Sequence, residues 1–95
     1  MEDFEIIHKE RKNRIYLKKE NYKARLKYKR KKDNVLEIYK TEVPPELRGQ
    51  GIGNILMREA LNYALKNNCK VKAVCSFAQK YIEKHPEYTS LLPSE

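Results

Sequence analysis

Tyr22–Arg30 carries the most regular alternation in the chain, with Tyr22, Ala24, Leu26 and Tyr28 on one face and Lys23, Arg25, Lys27 and Lys29 on the other. That pattern is an antiparallel strand with one face packed and one wet. Two shorter runs precede it. Phe4–Lys9 has Phe4, Ile6 and Ile7 apolar, and Arg14–Leu17 alternates Ile15 and Leu17 with Arg14 and Tyr16, so both read as strands, turned at Lys12-Asn13 and at Lys19-Glu20-Asn21. After Lys32-Asp33-Asn34 the run Glu37–Val43 supplies Ile38, Tyr39, Thr41 and Val43, residue types that suit a pleated, half-buried surface. Pro44 and Pro45 end it, since neither has an N–H for a ladder.

The period then changes from two to three-and-four. Ile52, Ile55, Leu56, Ala60, Tyr63 and Ala64, broadened by Leu61 and Leu65, predict an amphipathic helix over about Gly51 to Asn67, closed by Lys66-Asn67-Asn68. Lys70–Cys75 alternates again. Phe77–Lys84 predicts a short helix with Phe77, Ala78, Tyr81 and Ile82 on one side, stopped by His85-Pro86. The tail Tyr88–Glu95 is expected to dock through Leu91 and Leu92. A strand, helix, strand order makes the last strand parallel to Glu37–Val43 by a right-handed crossover. The fold class is therefore α+β: a mixed, mostly antiparallel sheet with a parallel strand–helix–strand unit and a short C-terminal helix. The 95 residues make one domain, 1–95, without internal repeat or linker.

Candidate chemistry concentrates where strand gives way to helix. Arg48-Gly49-Gln50-Gly51-Ile52-Gly53 places glycines at alternate positions, which allows positive φ and removes Cβ atoms that would hold a ligand away. The first amides of the helix have no intrahelical partner and form an anion site suited to phosphate or pyrophosphate. Hydrogen bonds to a charged group contribute roughly 1.5–3 kcal/mol each, against roughly 0.3–1 kcal/mol for the helix dipole, so the amides dominate. The same spacing also suits a plain glycine-rich loop. Two phosphate motifs are excluded. Asn54 and Ile55 stand where a P-loop needs Lys and Ser/Thr, and the glycines are one residue too close for a dinucleotide fingerprint.

The pattern [Q/R]-x-x-G-x-[G/A] over Arg48–Gly53, with VPPEL before it and an amphipathic helix after it, closely resembles the coenzyme A-binding motif of the GNAT acyltransferase superfamily. Lys40-Thr41-Glu42-Val43-Pro44, Cys75-Ser76-Phe77 and Lys84-His85-Pro86-Glu87-Tyr88 extend the resemblance to a minimal, single-domain subfamily with a C-[PS]-[FY] motif, over about residues 14–92. The resemblance implies acetyl-coenzyme A as cofactor. Thr41, Val43, Arg48, Gly49, Gln50, Gly51, Ile52, Gly53 and Asn54 would bind it, the loop amides on the pyrophosphate and the Val43 backbone along the pantetheine arm. Cys75 and Tyr81 would surround the thioester, Cys75 as acyl acceptor and Tyr81 as proton donor to the leaving thiolate. Cys75 also falls at a strand end beside a helix start, a place where thiols are reactive; as a residue type it equally suits a small buried hydrophobe. Tyr81 equally suits a packed aromatic. Two residues depart from the subfamily: Lys40 replaces a histidine, and Ala73 a common proline. Strand alternation puts Lys40 and Glu42 on one face, where they can pair. Leu17 to Tyr22 is only a turn where full GNAT enzymes insert two helices, which implies an open acceptor side and a large acceptor such as a protein amine.

Composition narrows the classes. No apolar run approaches the ~18 residues of a membrane span. Cys69 and Cys75 without a secretory leader are expected as free thiols in a cytoplasmic or nuclear protein, and with His8 and His85 they show no metal-ligand spacing. The net charge of +8 fits solvated lysine faces, an anionic cofactor or nucleic acid. Lys27–Lys32 reads as a nucleic-acid patch if taken as a peptide and as a solvated strand face if taken as a strand. The function expected is a monomeric acetyl-coenzyme A-binding acyltransferase. The alternatives are a coenzyme A-binding sensor or adaptor without catalysis, and a basic nucleic-acid-binding module.

Overall fold

The computed structural model describes residues 3–93, so the first two residues and the last two of the tail lie outside it. Five strands form one sheet in the order β1 (Glu5–Lys9), β2 (Arg14–Lys19), β3 (Tyr22–Lys31), β4 (Val35–Glu42) and β5 (Lys70–Ala73). The first four are antiparallel neighbours joined by short turns, and β5 runs parallel to β4. The crossover is α1 (Ile52–Lys66), and α2 (Ser76–Lys84) follows β5. A 3₁₀ segment, Pro86–Leu91, carries the tail back along α1, where Leu91 is buried and Leu92 packs against the core. The α+β class is therefore as the pattern predicts.

Alternation decides which face of the sheet is dry. Ile15, Leu17, Ala24, Leu26, Tyr28, Leu36, Ile38 and Val71 are buried under Ile52, Leu56, Met57, Ala60, Leu61 and Ala64 of α1. Each fully buried Leu or Ile contributes roughly 1.5–3 kcal/mol, so the dry face and the helix stripe hold each other in place. Leu65, expected to broaden that stripe, is instead exposed, because the buried residues of α1 already fill the sheet-facing side. Ala78, Tyr81 and Ile82 place α2 in the same core.

The opposite face carries no helix among the described residues. Its charged outward positions are Lys9, Arg14, Lys18, Lys23, Arg25, Lys27, Lys29, Lys31, Lys40, Lys70 and Lys72, with Glu5, Glu37 and Glu42, and Ile7 and Val35 lie among them. Tyr16 and Tyr39 lie on this face beneath lysine ammoniums, Lys23 at 4.7 Å and Lys29 at 5.2 Å from the ring centres.

One irregularity matters for the site. Lys27 pairs with Lys40 but Tyr28 pairs with Ile38, which leaves Tyr39 as an extra residue in a β-bulge. The bulge switches the facing of β4. Ile38 before it and Thr41 after it both point to the helix side, while Lys40 and Glu42 point outward and pair at 3.3 Å. The predicted run Lys70–Cys75 is shorter as a strand because the amides of Val74 and Cys75 both converge on the carbonyl of Ile38 (2.9 and 3.2 Å). Beyond Ile38, β4 and β5 part.

Candidate functional site

The divergence of β4 and β5 leaves the edge of β4 from Tyr39 onward without a strand partner on that side among the described residues. Alternate backbone groups of that stretch face the gap, since strand polar groups point alternately to the two edges. The chain next turns through Pro45–Leu47, a 3₁₀ turn anchored by the buried Leu47, and enters the glycine turn. Thr41, Val43, Leu47, Arg48, Gly49, Gly51, Ile52, Gly53, Asn54 and Phe77 line a cleft of about 370 Å³ there. Eight of the nine expected cofactor-binding residues line this cleft; the exception is Gln50.

The glycines have separate duties. Gly49 (φ +78) and Gly51 (φ +74) are left-handed, and an added Cβ at either would meet no atom within 4 Å. Crowding by the protein does not select them; backbone conformation does. Gly53 is different from the expected positive-φ role. It is helical, and a Cβ there would lie 2.7 Å from the Phe77 ring tip, so its task is close packing of α1 against the start of α2.

None of the backbone amides from Gly49 to Asn54 meets an acceptor among the described residues; the first α1-type bond is Ile55 N–H to the Gly51 carbonyl at 3.2 Å. Gly51 is the N-cap and offers no side-chain acceptor. These donors form a cradle open toward the cleft, the arrangement that anions occupy at helix starts. A coenzyme pyrophosphate fits the donor set in kind, and the missing Cβ atoms leave room for its approach.

The other expected residues are placed as follows. The Arg48 side chain folds back so that Nε donates to the Val43 carbonyl at 3.0 Å. That bond fixes the rim of the cleft and uses one acceptor of the β4 edge. The Gln50 side chain faces away: its Nε2 donates to the Glu46 carbonyl at 3.3 Å and its Oε1 accepts from Lys19 Nζ at 2.6 Å. Ile52 puts its side chain in the core, leaving only its amide for the cleft. Cys75 is the N-cap of α2, half-buried, with its sulfur accepting from the Ala78 amide at 3.4 Å. Its Sγ is 3.8 Å from Thr41 Oγ1, so it sits directly behind a residue that lines the cleft.

Tyr81 does not line the cleft. It is buried between α2 and the tail, stacked on the His85 ring at 3.9 Å between centroids, with Tyr88 at 6.3 Å. Burial pushes its phenol above the usual value, with Tyr88 adding to that, while Arg58 opposes it. Lys40, in place of the subfamily's histidine, is spent on Glu42, which also receives Arg25 (3.3 Å) and Lys27 (3.9 Å). The adjacent cations together hold the Glu42 carboxyl below its usual range against the opposing effect of desolvation. Phe77 was not expected as a site residue. It is 39% exposed, covers Gly53 and walls the cleft. Its place in the Cys-Ser-Phe motif was the available signal.

A family model for the GCN5-related N-acetyl-transferase matches residues 13–91. The chain belongs to the GCN5-related N-acetyl-transferase family. A solution structure of a GCN5-like protein from Staphylococcus aureus superposes with a TM-score of 0.77 at 31% identity, covering 100% of this chain and 93% of that one. Protein NATD1 of Homo sapiens is 33% identical over 52 residues, 55% of this chain and 46% of that protein. An uncharacterized N-acetyltransferase of Archaeoglobus fulgidus is 54% identical over 44 residues, 46% of this chain and 29% of that protein. The chain thus matches about half the length, or less, of these curated relatives.

Proposed function

We propose that the chain binds acetyl-coenzyme A and transfers its acetyl group to an amine acceptor, in the manner its family name implies. The observation that carries the reading is the run of amides from Gly49 to Asn54, without acceptors among the described residues and facing a cleft where β4 and β5 part. The amides would hold the pyrophosphate, and the β4 edge at Thr41 and Val43 would hold the pantetheine arm. When bound, the cofactor supplies an activated acyl thioester. Thr41 and Phe77 flank the place where that group would lie, and Cys75 is one side chain behind it. No inserted helices wall the far side of the cleft among the described residues, so the acceptor enters from an open surface, which suits a protein amine.

A second reading, a coenzyme A-binding sensor without catalysis, is favoured by two observations. Tyr81 is packed in an aromatic stack, and Lys40 is committed to Glu42. Calorimetric titration with acetyl-coenzyme A followed by intact-protein mass spectrometry separates the readings. Binding with transfer to an amine, or an acetyl mass on Cys75, supports the transferase. Binding with neither leaves the sensor. Absence of binding removes both. Localisation in the cytoplasm or nucleus and a monomeric state go with this proposal; no described helix is long and apolar enough to cross a membrane.

A further inference from the structure

The bare face of the sheet carries a cation pattern that solubility does not require. Lys9 pairs with Arg14, Arg14 with Lys27, and Lys27 with Lys40, so four cations stand directly opposite one another across β1, β2, β3 and β4. Directly opposed side chains in neighbouring strands lie about 4.5–5.5 Å apart at Cβ, and like charges so placed destabilise a sheet. Among the described residues only Lys27 and Lys40 of the row meet a carboxylate, and they share a single one, Glu42. The row crosses a second one that runs along β3, where Lys23, Arg25, Lys27, Lys29 and Lys31 alternate outward. Over the whole face eleven cations oppose three carboxylates. Seen on β3 alone this is a solvated strand face; the register of all five strands makes it a patch.

We propose that this face binds the phosphodiester backbone of duplex nucleic acid. At about 4.8 Å per strand the crosswise row spans about 14 Å, and the β3 row spans about 26 Å at ~3.3 Å per residue. Over that length of helix axis each strand of a duplex carries about eight phosphates, of which those on the facing side meet the row. The rest of the face argues against other partners. Tyr16 is only 8% exposed under Lys23, and Lys29 covers Tyr39, so no open aromatic platform is offered to unstacked bases. The same covering removes the buried aromatic anchors on which a folded protein partner would depend. Lysines as flexible point charges suit sequence-independent contact with a polyanion, bound by release of its counterions. The inference is independent of the cofactor reading, which concerns the helix side of the sheet.

Fluorescence anisotropy with a labelled 20-base-pair DNA duplex, and in parallel an RNA duplex of the same sequence, tests it over a series of KCl concentrations. The wild type is expected to bind at least one of them. About five phosphate contacts give a slope near −4.5 in log K against log[salt] for DNA. The triple variant Lys9→Gln/Arg14→Gln/Lys29→Gln should bind DNA at least tenfold more weakly at low salt, with a slope shallower by about 2–3. Its melting temperature should stay within a few degrees of the wild type's, because the opposed pairs Lys9–Arg14 and Arg14–Lys27 are relieved while Lys29 gives up its place opposite Glu37 and over the Tyr39 ring, which separates lost contact from lost fold. Its acetyl-coenzyme A titration should match the wild type's whatever that result is, so the two proposals fail separately. No binding of either duplex overturns the proposal. So does an unchanged slope in the triple variant, or displacement of the duplex by polyglutamate at equal charge concentration, which would assign the face to acidic protein.

Discussion

Gly51→Val puts the cofactor site under the sharpest strain. Gly51 has φ +74 and closes the turn as the N-cap of α1, yet a Cβ there touches no protein atom within 4 Å. Two effects therefore separate. The left-handed backbone costs an L-residue roughly 1–2 kcal/mol, and a β-branched side chain falls at the upper end. At about 4–8 °C per kcal/mol for a domain of this size, melting should drop by roughly 5–15 °C. The second effect is on the ligand. The methyl groups would extend from a position clear of protein, over the amides from Gly49 to Asn54. Losing one charge-assisted hydrogen bond of roughly 1.5–3 kcal/mol weakens binding by at least tenfold, since 1.4 kcal/mol is one decade. The assay is calorimetric titration with acetyl-coenzyme A well below the variant's melting temperature, with circular dichroism to establish that it is folded. Affinity within twofold of wild type in a folded Gly51→Val variant would refute the account of the turn.

Cys75→Ser and Cys75→Ala separate cap from chemistry. Serine is a better N-cap than alanine by about 1 kcal/mol, so Ser should melt above Ala, while both lose any acetyl label seen by mass spectrometry; equal melting would remove the sulfur–Ala78 bond from the energetics. Leu56→Ala empties a site that is 0% exposed beneath the turn; urea unfolding should show a loss of about 2–5 kcal/mol, and a loss under 1 kcal/mol would contradict tight packing of α1. His8 bonds to the Tyr28 hydroxyl at 2.7 Å through Nε2, and burial holds its pKa below 6.5 despite Glu10 and Glu59. The folded state thus binds fewer protons than the unfolded one, so stability should fall as pH drops through 6.5 toward the lowered pKa. His8→Gln should flatten that fall in pH-dependent melting, and a variant with the same slope would contradict it.

Much of the fold was legible because it rests on local periodicity. Alternation in β3 predicted its buried set apart from Tyr22 at the exposed end, and the three-and-four spacing predicted α1 to within a residue at each end. The same alternation correctly put Lys40 beside Glu42. The bulge at Tyr39 was not legible, since it depends on how β4 meets both neighbours. The early end of β5 has the same origin: two amides compete for the Ile38 carbonyl, a contact between strands more than thirty residues apart. At the candidate site, the glycine spacing marked the turn but could not tell the conformational Gly49 and Gly51 from the packing Gly53. That distinction depends on Phe77, which arrives from a different helix. The helical pattern over Phe77–Lys84 puts Tyr81 on the apolar side with Ala78 and Ile82; what it does not encode is the tail folding back to bring His85 and Tyr88 against its ring.

The central claim is that the amides from Gly49 to Asn54 form the cofactor's anion site. A titration of ¹⁵N-labelled protein with acetyl-coenzyme A, read residue by residue in amide NMR spectra, tests it most directly. The account predicts the largest shifts at Gly49, Gly51, Ile52, Gly53 and Asn54, with smaller ones at Thr41 and Val43. Saturable shifts confined to the lysine-rich face of the sheet, or no shifts at all, would contradict it.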